Sequence, residues 1–368
     1  MSAGEHVIAG LAGAALVAWT VVSAVVTVVV PRGIPVRLTR WVFAATLVPF
    51  RLRARGLVDV ERRESLLAAY GPSALLLLPL VWLVLVIAGG TLVDWAVGVG
   101  SWRGAFTESG SSLFTLGFSV PASLPQTAVD FVEAALGLGL VALLIAYLPS
   151  IYASYSRREA LVTALETQAG SPPSGTALLE RLARIGGLED LVDFWEEWSR
   201  WFADIEETHV STPSLVFFRS PQAARSWVTA SGSVLDAASL LLASVDVERQ
   251  PQAALCIRAG YIALRRIAVF HGITFDPDPR PSDPISITRD EFDLAWRRIA
   301  AAGAPMRDDR DRAWASFAGW RVNYDSVLLD LALLTMAPLA PWSSDRSPPG
   351  LHRPRSPRLG WMAGRVPR

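Results

Sequence analysis

Three stretches of the chain run free of charge for longer than a globular core requires. Val7 to Val30, Ser73 to Val93 and Ala134 to Ser156 are uncharged over 24, 21 and 23 residues. At ~1.5 Å per residue each is long enough to cross a bilayer core of ~30 Å, so each predicts a transmembrane helix. A secretory signal is the alternative for the first. Its leader MSAGEH lacks a basic n-region, however, and the run exceeds the ~7–15 residues of a signal core. Gly10, Ala14 and Ala18 fall four apart, which suits close helix packing.

Arginine placement orients the three spans, because short loops rich in arginine stay in the cytoplasm. Between the first and second lie Arg32, Arg37, Arg40, Arg51, Arg53, Arg55, Arg62 and Arg63. Between the second and third there is Arg103 alone, with Asp94, Glu108, Asp130 and Glu133 around it. The pattern predicts a multi-pass protein of the plasma (inner) membrane, with its N-terminus outside and its C-terminal part cytoplasmic. Within residues 31–69, RLTRWVFAATLVPFRLRAR (Arg37 to Arg55) is too short and too basic to span. It reads as an interfacial helix with Trp41 and its arginines at headgroup depth, or else as a solvated linker.

Beyond residues 157–175, which contain the breaker-rich GSPPSG, charges return at helical spacing. Leu191, Trp195, Trp198, Phe202 and Ile205 make one apolar face of a helix over Leu188 to His209. Ala223 to Val245, Pro251 to His271, Thr288 to Ala302 and Asp309 to Met336 repeat the pattern. In the last of these Trp314, Phe317, Tyr324, Leu328, Leu331 and Thr335 form a stripe. A helical bundle over 176–337 follows, and its aromatic stripes read as core. Pro338 to Arg368, rich in proline and arginine, reads as a disordered basic tail.

Composition agrees with a membrane protein: 51% hydrophobic and 18% charged residues, at zero formal net charge. Cys256 is the only cysteine, which excludes an intrachain disulfide. His6, His209, His271 and His352 have no metal-site spacing, and FDPDPRPSDP (Phe275 to Pro284) lacks calcium-loop spacing. No GxSxG, P-loop or GxGxxG is present, so neither an enzyme, nor a bound cofactor, nor a nucleic-acid partner is expected.

The segment between the second and third spans is too long for a turn and carries its own apolar piece. A re-entrant element is tolerated at membrane depth only where protein or water surrounds it. Here SGSSLFTLGFSVP (Ser109 to Pro121) resembles the tetrameric potassium-channel pore family. More narrowly it is similar to bacterial two-span ion-channel proteins, whose loop reads SG-x-x-FFTLGFGD. Ser109, Gly110, Leu113, Phe114, Thr115, Leu116, Gly117 and Phe118 carry the match. GLGLVALLIAYLP and YSRREALVTALETQAGSPPSG, downstream, look like that family's inner helix and its exit. The resemblance covers roughly 70–175 and is fainter through Trp227.

Together with the spans and bundle above, the resemblance implies an all-α integral membrane protein. The pore domain (70–156), with its re-entrant part at 104–121, and fourfold self-association come from the resemblance; the N-terminal transmembrane helix (1–30) and the cytosolic bundle are the parts read from the pattern above. It implies a selectivity filter at Thr115, Leu116, Gly117, Phe118 and Ser119 that passes a monovalent cation, potassium by analogy, through rings of oxygen atoms. Ion transport would then be the function, with the lipid bilayer and three further copies as partners. Where the family has glycine and aspartate this chain has Ser119 and Val120. Serine at a positive-φ site costs on the order of 1 kcal/mol, and Val120 removes a carboxylate from the filter mouth. A weakly selective or low-conductance pore is the expectation. The alternative is a non-conducting scaffold or sensor whose cytosolic helices bind a protein partner. Asp130 and Glu133 read as cation-attracting groups of the filter mouth, or as acidic residues favourable to a helix start. Gly137 and Gly139 read as a gating hinge, or as packing glycines.

The orientation is testable directly. A reporter fused after Arg368 should report the cytoplasm, and Ser2→Cys should label with an impermeant thiol reagent from outside; labelling only after permeabilisation would reverse the first span.

Overall fold

The computed structural model describes residues 3–30, 36–57 and 59–346. Arg32 and the tail beyond residue 346, including His352, lie outside the described residues. Among those described, the regular elements are helical, with one isolated bridge between Val245 and Met306. The chain divides into two compact units, Met1–Arg53 with Ala69–Ala153 and Ala54–Ala68 with Ser154–Arg368.

In the first unit, helix α1 (Ala3–Val28) covers the first expected span and packs along the span after the basic loop. α2 (Arg37–Arg55) takes the bounds expected for the interfacial helix, and α3 (Val60–Ala68) belongs to the second unit. α4 (Tyr70–Ala96) contains the second span, α5 (Trp102–Leu113) is a short helix, and α6 (Leu124–Ala169) contains the third. Gly13 and Gly89 let α1 and α4 approach: a Cβ on Gly13 would overlap the Gly89 carbonyl oxygen, and one on Gly89 would lie 2.9 Å from that of Gly13. The contact face is thus Gly10, where a Cβ would lie 3.0 Å from that of Ala96, with Gly13, Val17 and Thr20, while Ala14 and Ala18 are exposed. The small-residue face expected from sequence is rotated from the real one because Gly89 opposes Gly13.

α2 is held by protein on one side. Leu38, Val42, Phe43 and Leu47 are buried, and the Tyr70 hydroxyl donates to the Phe43 carbonyl at 3.0 Å. Trp41, Val48 and Leu52, 57%, 55% and 61% exposed, leave its other face apolar and open. α6, with 46 residues, is about 69 Å long at ~1.5 Å per residue, more than twice a bilayer core. Its last turns are no linker, since Val162, Leu165 and Ala169 enter the core of the second unit.

The second unit adds α7 (Gly175–Ile185), α8 (Val192–Ser211), a 3-10 turn (Pro213–Phe217), α9 (Trp227–Ser244), α10 (Pro251–Phe270), α11 (Arg289–Ala301), α12 (Arg310–Arg321) and α13 (Asp325–Thr335). α9 is the axle, packed against α7, α10, α12 and α13. Among the described residues, four helices are long and apolar enough to cross a membrane, Gly4–Val28, Glu61–Ala96, Leu124–Ala169 and Trp227–Ser244. The last is 94% buried inside its own unit, so protein already covers its apolar surface.

Asp309 to Met336, expected as one helix, is two. Asn323 Nδ2 donates to the Gly319 and Trp320 carbonyls and ends α12. Arg321 lies fully buried, with Nε on Asp325 Oδ1 at 2.7 Å, Nη1 on Asp236 and Nη2 on the Trp342 carbonyl at 2.6 Å. The stripe of Phe317, Tyr324, Leu328 and Leu331 is buried all the same, now by two helices. The expected tail is ordered at its start: Ala340 and Trp342 are buried, and Arg346 pairs with Glu291 at 2.9 Å.

His271 is fully buried beside Phe217 and Phe270, its Nε2 without a hydrogen bond. Burial pushes its pKa down to about 4, below the ordinary ~6.5. A depressed histidine contributes stability that is complete above ~6.5 and is lost as pH falls from there toward about 4. The loss amounts to about 3 kcal/mol at ~1.4 kcal/mol per unit. Burial lowers His209 in the same direction. Chemical unfolding of the second unit, followed by tryptophan emission, should show this fall in wild type and a shallower one in His271→Phe; identical slopes would contradict the assignment.

Candidate functional site

α5 is about 18 Å long at ~1.5 Å per residue, too short to cross a membrane. Ser101 caps its start, with Oγ accepting from Gly104 N–H at 3.0 Å. Trp102 stacks on Trp95, the next-to-last residue of α4, at 4.6 Å, and Trp95 stacks on His6 at 4.5 Å. A long apolar helix, a helix of about half that length, an irregular segment and a second long apolar helix therefore follow one another in the first unit.

From Phe114 the chain leaves the helix, and the N–H groups of the next residues turn back onto it. Leu116 N–H donates to the Ser111 carbonyl at 2.8 Å, and those of Phe118 and Ser119 both donate to Ser111 Oγ at 3.1 Å. In a planar trans peptide the carbonyl of residue i points opposite to the N–H of residue i+1. The Thr115, Gly117 and Phe118 carbonyls are thereby aimed away from α5. The buried Ser111 hydroxyl, with two lone pairs for two amides, thus sets a row of carbonyl oxygens on the open side of the loop. Three serines in four positions, Ser109, Ser111 and Ser112 around Gly110, were the available signal for this brace, and sequence reasoning missed it.

Two residues of the loop have positive φ, Thr115 at 55° and Gly117 at 70°. Ser119 does not, so the strain expected there is absent; the loop puts it at Thr115, where a β-branched side chain in this region costs on the order of 1–2 kcal/mol. The Thr115 hydroxyl donates to the Phe114 carbonyl at 2.7 Å. Leu116, Phe118 and Val120 are exposed, Val120 at 84%, and Ala122 N–H closes the return by donating to the buried Gln126 Oε1 at 2.8 Å.

The two glycines assigned to a hinge differ. A Cβ on Gly137 would overlap the Leu113 carbonyl oxygen, so this residue is where α6 passes against the end of α5. A Cβ on Gly139 would meet nothing within 4 Å, and helix α6 runs unbroken through both.

Glu133 is not at an open mouth. It is 3% exposed, its Oε1 accepts from Ser109 Oγ at 2.8 Å, and a Cβ on Gly90 would overlap it. One ligand atom each from Asp94, Asp130 and Glu133 lies within 4.8 Å of the others, with Asp130 half-buried and the other two buried. Sequence reading left Asp94 and Glu108 outside the candidate set, because α4 and α5 had to be brought beside α6 before their carboxylates could meet.

Ser111→Ala should release the Phe118 and Ser119 amides. Removing a net hydrogen bond of ~1 kcal/mol raises local opening about fivefold. Hydrogen–deuterium exchange of the peptide spanning these residues should accelerate by at least that factor, with α1 and α4 unchanged, whereas Gly139→Ala should leave it unaltered. No protein-family model, characterised protein or solved structure matches this chain.

Proposed function

We propose that the chain is one quarter of a potassium-channel-like cation pore, with Thr115 to Ser119 as its filter and α1, α4 and α6 as its spans. The observation that carries this reading is the carbonyl row set by Ser111. Oxygen atoms turned to the open side of an irregular strand are what a dehydrated monovalent cation needs, and one strand supplies too few, so copies must assemble around an axis. A stripe on α6 supports assembly: Phe131, Leu138, Ile145 and Tyr152 recur at seven-residue steps and are 73%, 68%, 66% and 50% exposed. That period keeps one face turned toward a partner helix. The second unit would then be the cytoplasmic part, which holds or gates the pore.

Val120 favours the second reading, a non-conducting membrane scaffold whose cytosolic helices bind a protein. At the mouth it presents an apolar side chain where local negative charge would concentrate cations.

Crosslinking in mild detergent should stop at four chains; a stable monomer with native helicity would remove the pore altogether. Potassium and sodium fluxes in liposomes separate the two readings. Wild type should pass cations with little preference. Ser119→Gly should change that little, since Ser119 already avoids positive φ. Val120→Asp should raise cation flux and potassium preference, and adding Ser119→Gly to it should change both little further. Strong potassium selectivity in wild type would refute the decayed-filter reading, and tetramers that never conduct would establish the scaffold.

A further inference from the structure

The polar interior of the first unit contains carboxyl groups without partners. Asp94, at the end of α4, is 0% exposed, and neither of its carboxylate oxygens has a hydrogen-bond partner. Glu133 on α6 satisfies one oxygen through Ser109 and leaves Oε2 unpartnered; Asp130 Oδ1, one turn earlier, is unpartnered as well. A fourth carboxylate comes from a third helix: Glu108 on α5 is 6% exposed, its Oε1 is unpartnered, and it lies close enough to Asp94 and Glu133 to repel both. Among the described residues no arginine or histidine forms an ion pair with any of the four.

Buried carboxylates without partners cost several kcal/mol each unless a cation or a donor balances them. The donors present are carboxylate oxygens and one serine hydroxyl, with no nitrogen or sulfur, the chemistry of hard divalent ions. Spacing agrees: two oxygens of one Ca2+ shell, each at ~2.4 Å from the ion, lie at most ~4.8 Å apart, and the ligand atoms of Asp94, Asp130 and Glu133 fall within that span. Gly90 is part of the arrangement, since any side chain there would displace Glu133.

We infer that Asp94, Asp130 and Glu133, with Glu108 beside them, form a divalent-cation site, of Ca2+ type, that ties α5 between α4 and α6. The site does not depend on the pore reading: a channel, a scaffold or a sensor would each gain a metal-held α5. Its three ligands come from α4 and α6, and α5 is joined to them through the Ser109–Glu133 bond, so binding should stiffen the packing of all three.

Trp95, adjacent to Asp94 and stacked on Trp102, provides an optical probe. Purified full-length protein in neutral-lipid nanodiscs is titrated with Tb3+, a luminescent Ca2+ substitute, under tryptophan excitation. Saturable sensitised emission is expected at one ion per chain, displaced by Ca2+ and not by excess K+. Asp94→Asn and Glu133→Gln should each weaken Ca2+ by at least the ~10–100-fold that loss of a mere outer-shell partner costs. Both variants relieve repulsion and should fold; Ca2+ should raise the melting temperature of wild type and leave theirs unchanged. Absence of saturable binding in wild type, displacement by K+ as readily as by Ca2+, or variants that bind as wild type does would each overturn the site. So would variants that melt higher than wild type whether or not Ca2+ is present, because the carboxylates would then be held by protons.

Discussion

Irregular backbone inside an apolar unit must find partners for its peptide groups, and Ser111 is where that requirement is met. One side chain accepts two amides and its own carbonyl accepts a third, which leaves the carbonyls of Thr115, Gly117 and Phe118 free on the other side. Ser111 can do this only while α5 stays fixed. α5 is fixed by the Trp95–Trp102 stack at its start, by the Ser109–Glu133 bond in its middle, and by the close approach of Gly137 to Leu113 at its end. The first of these contacts is to α4 and the other two are to α6. The loop is therefore the product of three helix contacts rather than of its own sequence alone.

The second unit obeys the same constraint with charge instead of peptide groups. Burial pulls the Arg321 guanidinium down, and Asp236 and Asp325 outweigh it and hold it charged. Tyr324 donates to Asp236 at 2.9 Å, and Ser286 donates to Asp325 at 2.6 Å. The network joins α9, α12, α13 and the segment after Pro338. This explains both the break in the expected long helix and the order of the chain as far as Arg346. Removing the arginine would leave two buried carboxylates uncompensated, the expensive direction for such a pair.

What sequence made legible was whatever depends on period and on run length. The spans, the bounds of α2 and most bundle helices follow from apolar spacing, because burial on one face is a local property of the pattern. Less legible were contacts between helices that share no period: the rotation of α1 that lets Gly13 oppose Gly89, and the capture of α12 by Asn323. The loop is the clearest case. TLGF identified the place, and the substitution at Ser119 was weighed by its φ. Yet strain moved to Thr115, and the brace came from Ser111, four residues earlier on a helix whose orientation no motif specifies.

Glu133 shows why a residue type and a position do not fix a role. Near the start of a span it reads equally as a vestibule charge or as a helix-start carboxylate. The deciding facts are that Gly90 leaves room for it and that Ser109 reaches it, both on other helices. Once it turns inward, its carboxyl lies with those of Asp94 and Asp130, near Glu108, while Val120 stays exposed and apolar. Charge in a poorly solvated interior acts over longer distances than the same charge in water. A cation held there would lower the field at the loop, and its loss would raise it. On the pore reading, the affinity of the loop for a permeant ion is thus coupled to the occupancy of a site that the ion never touches.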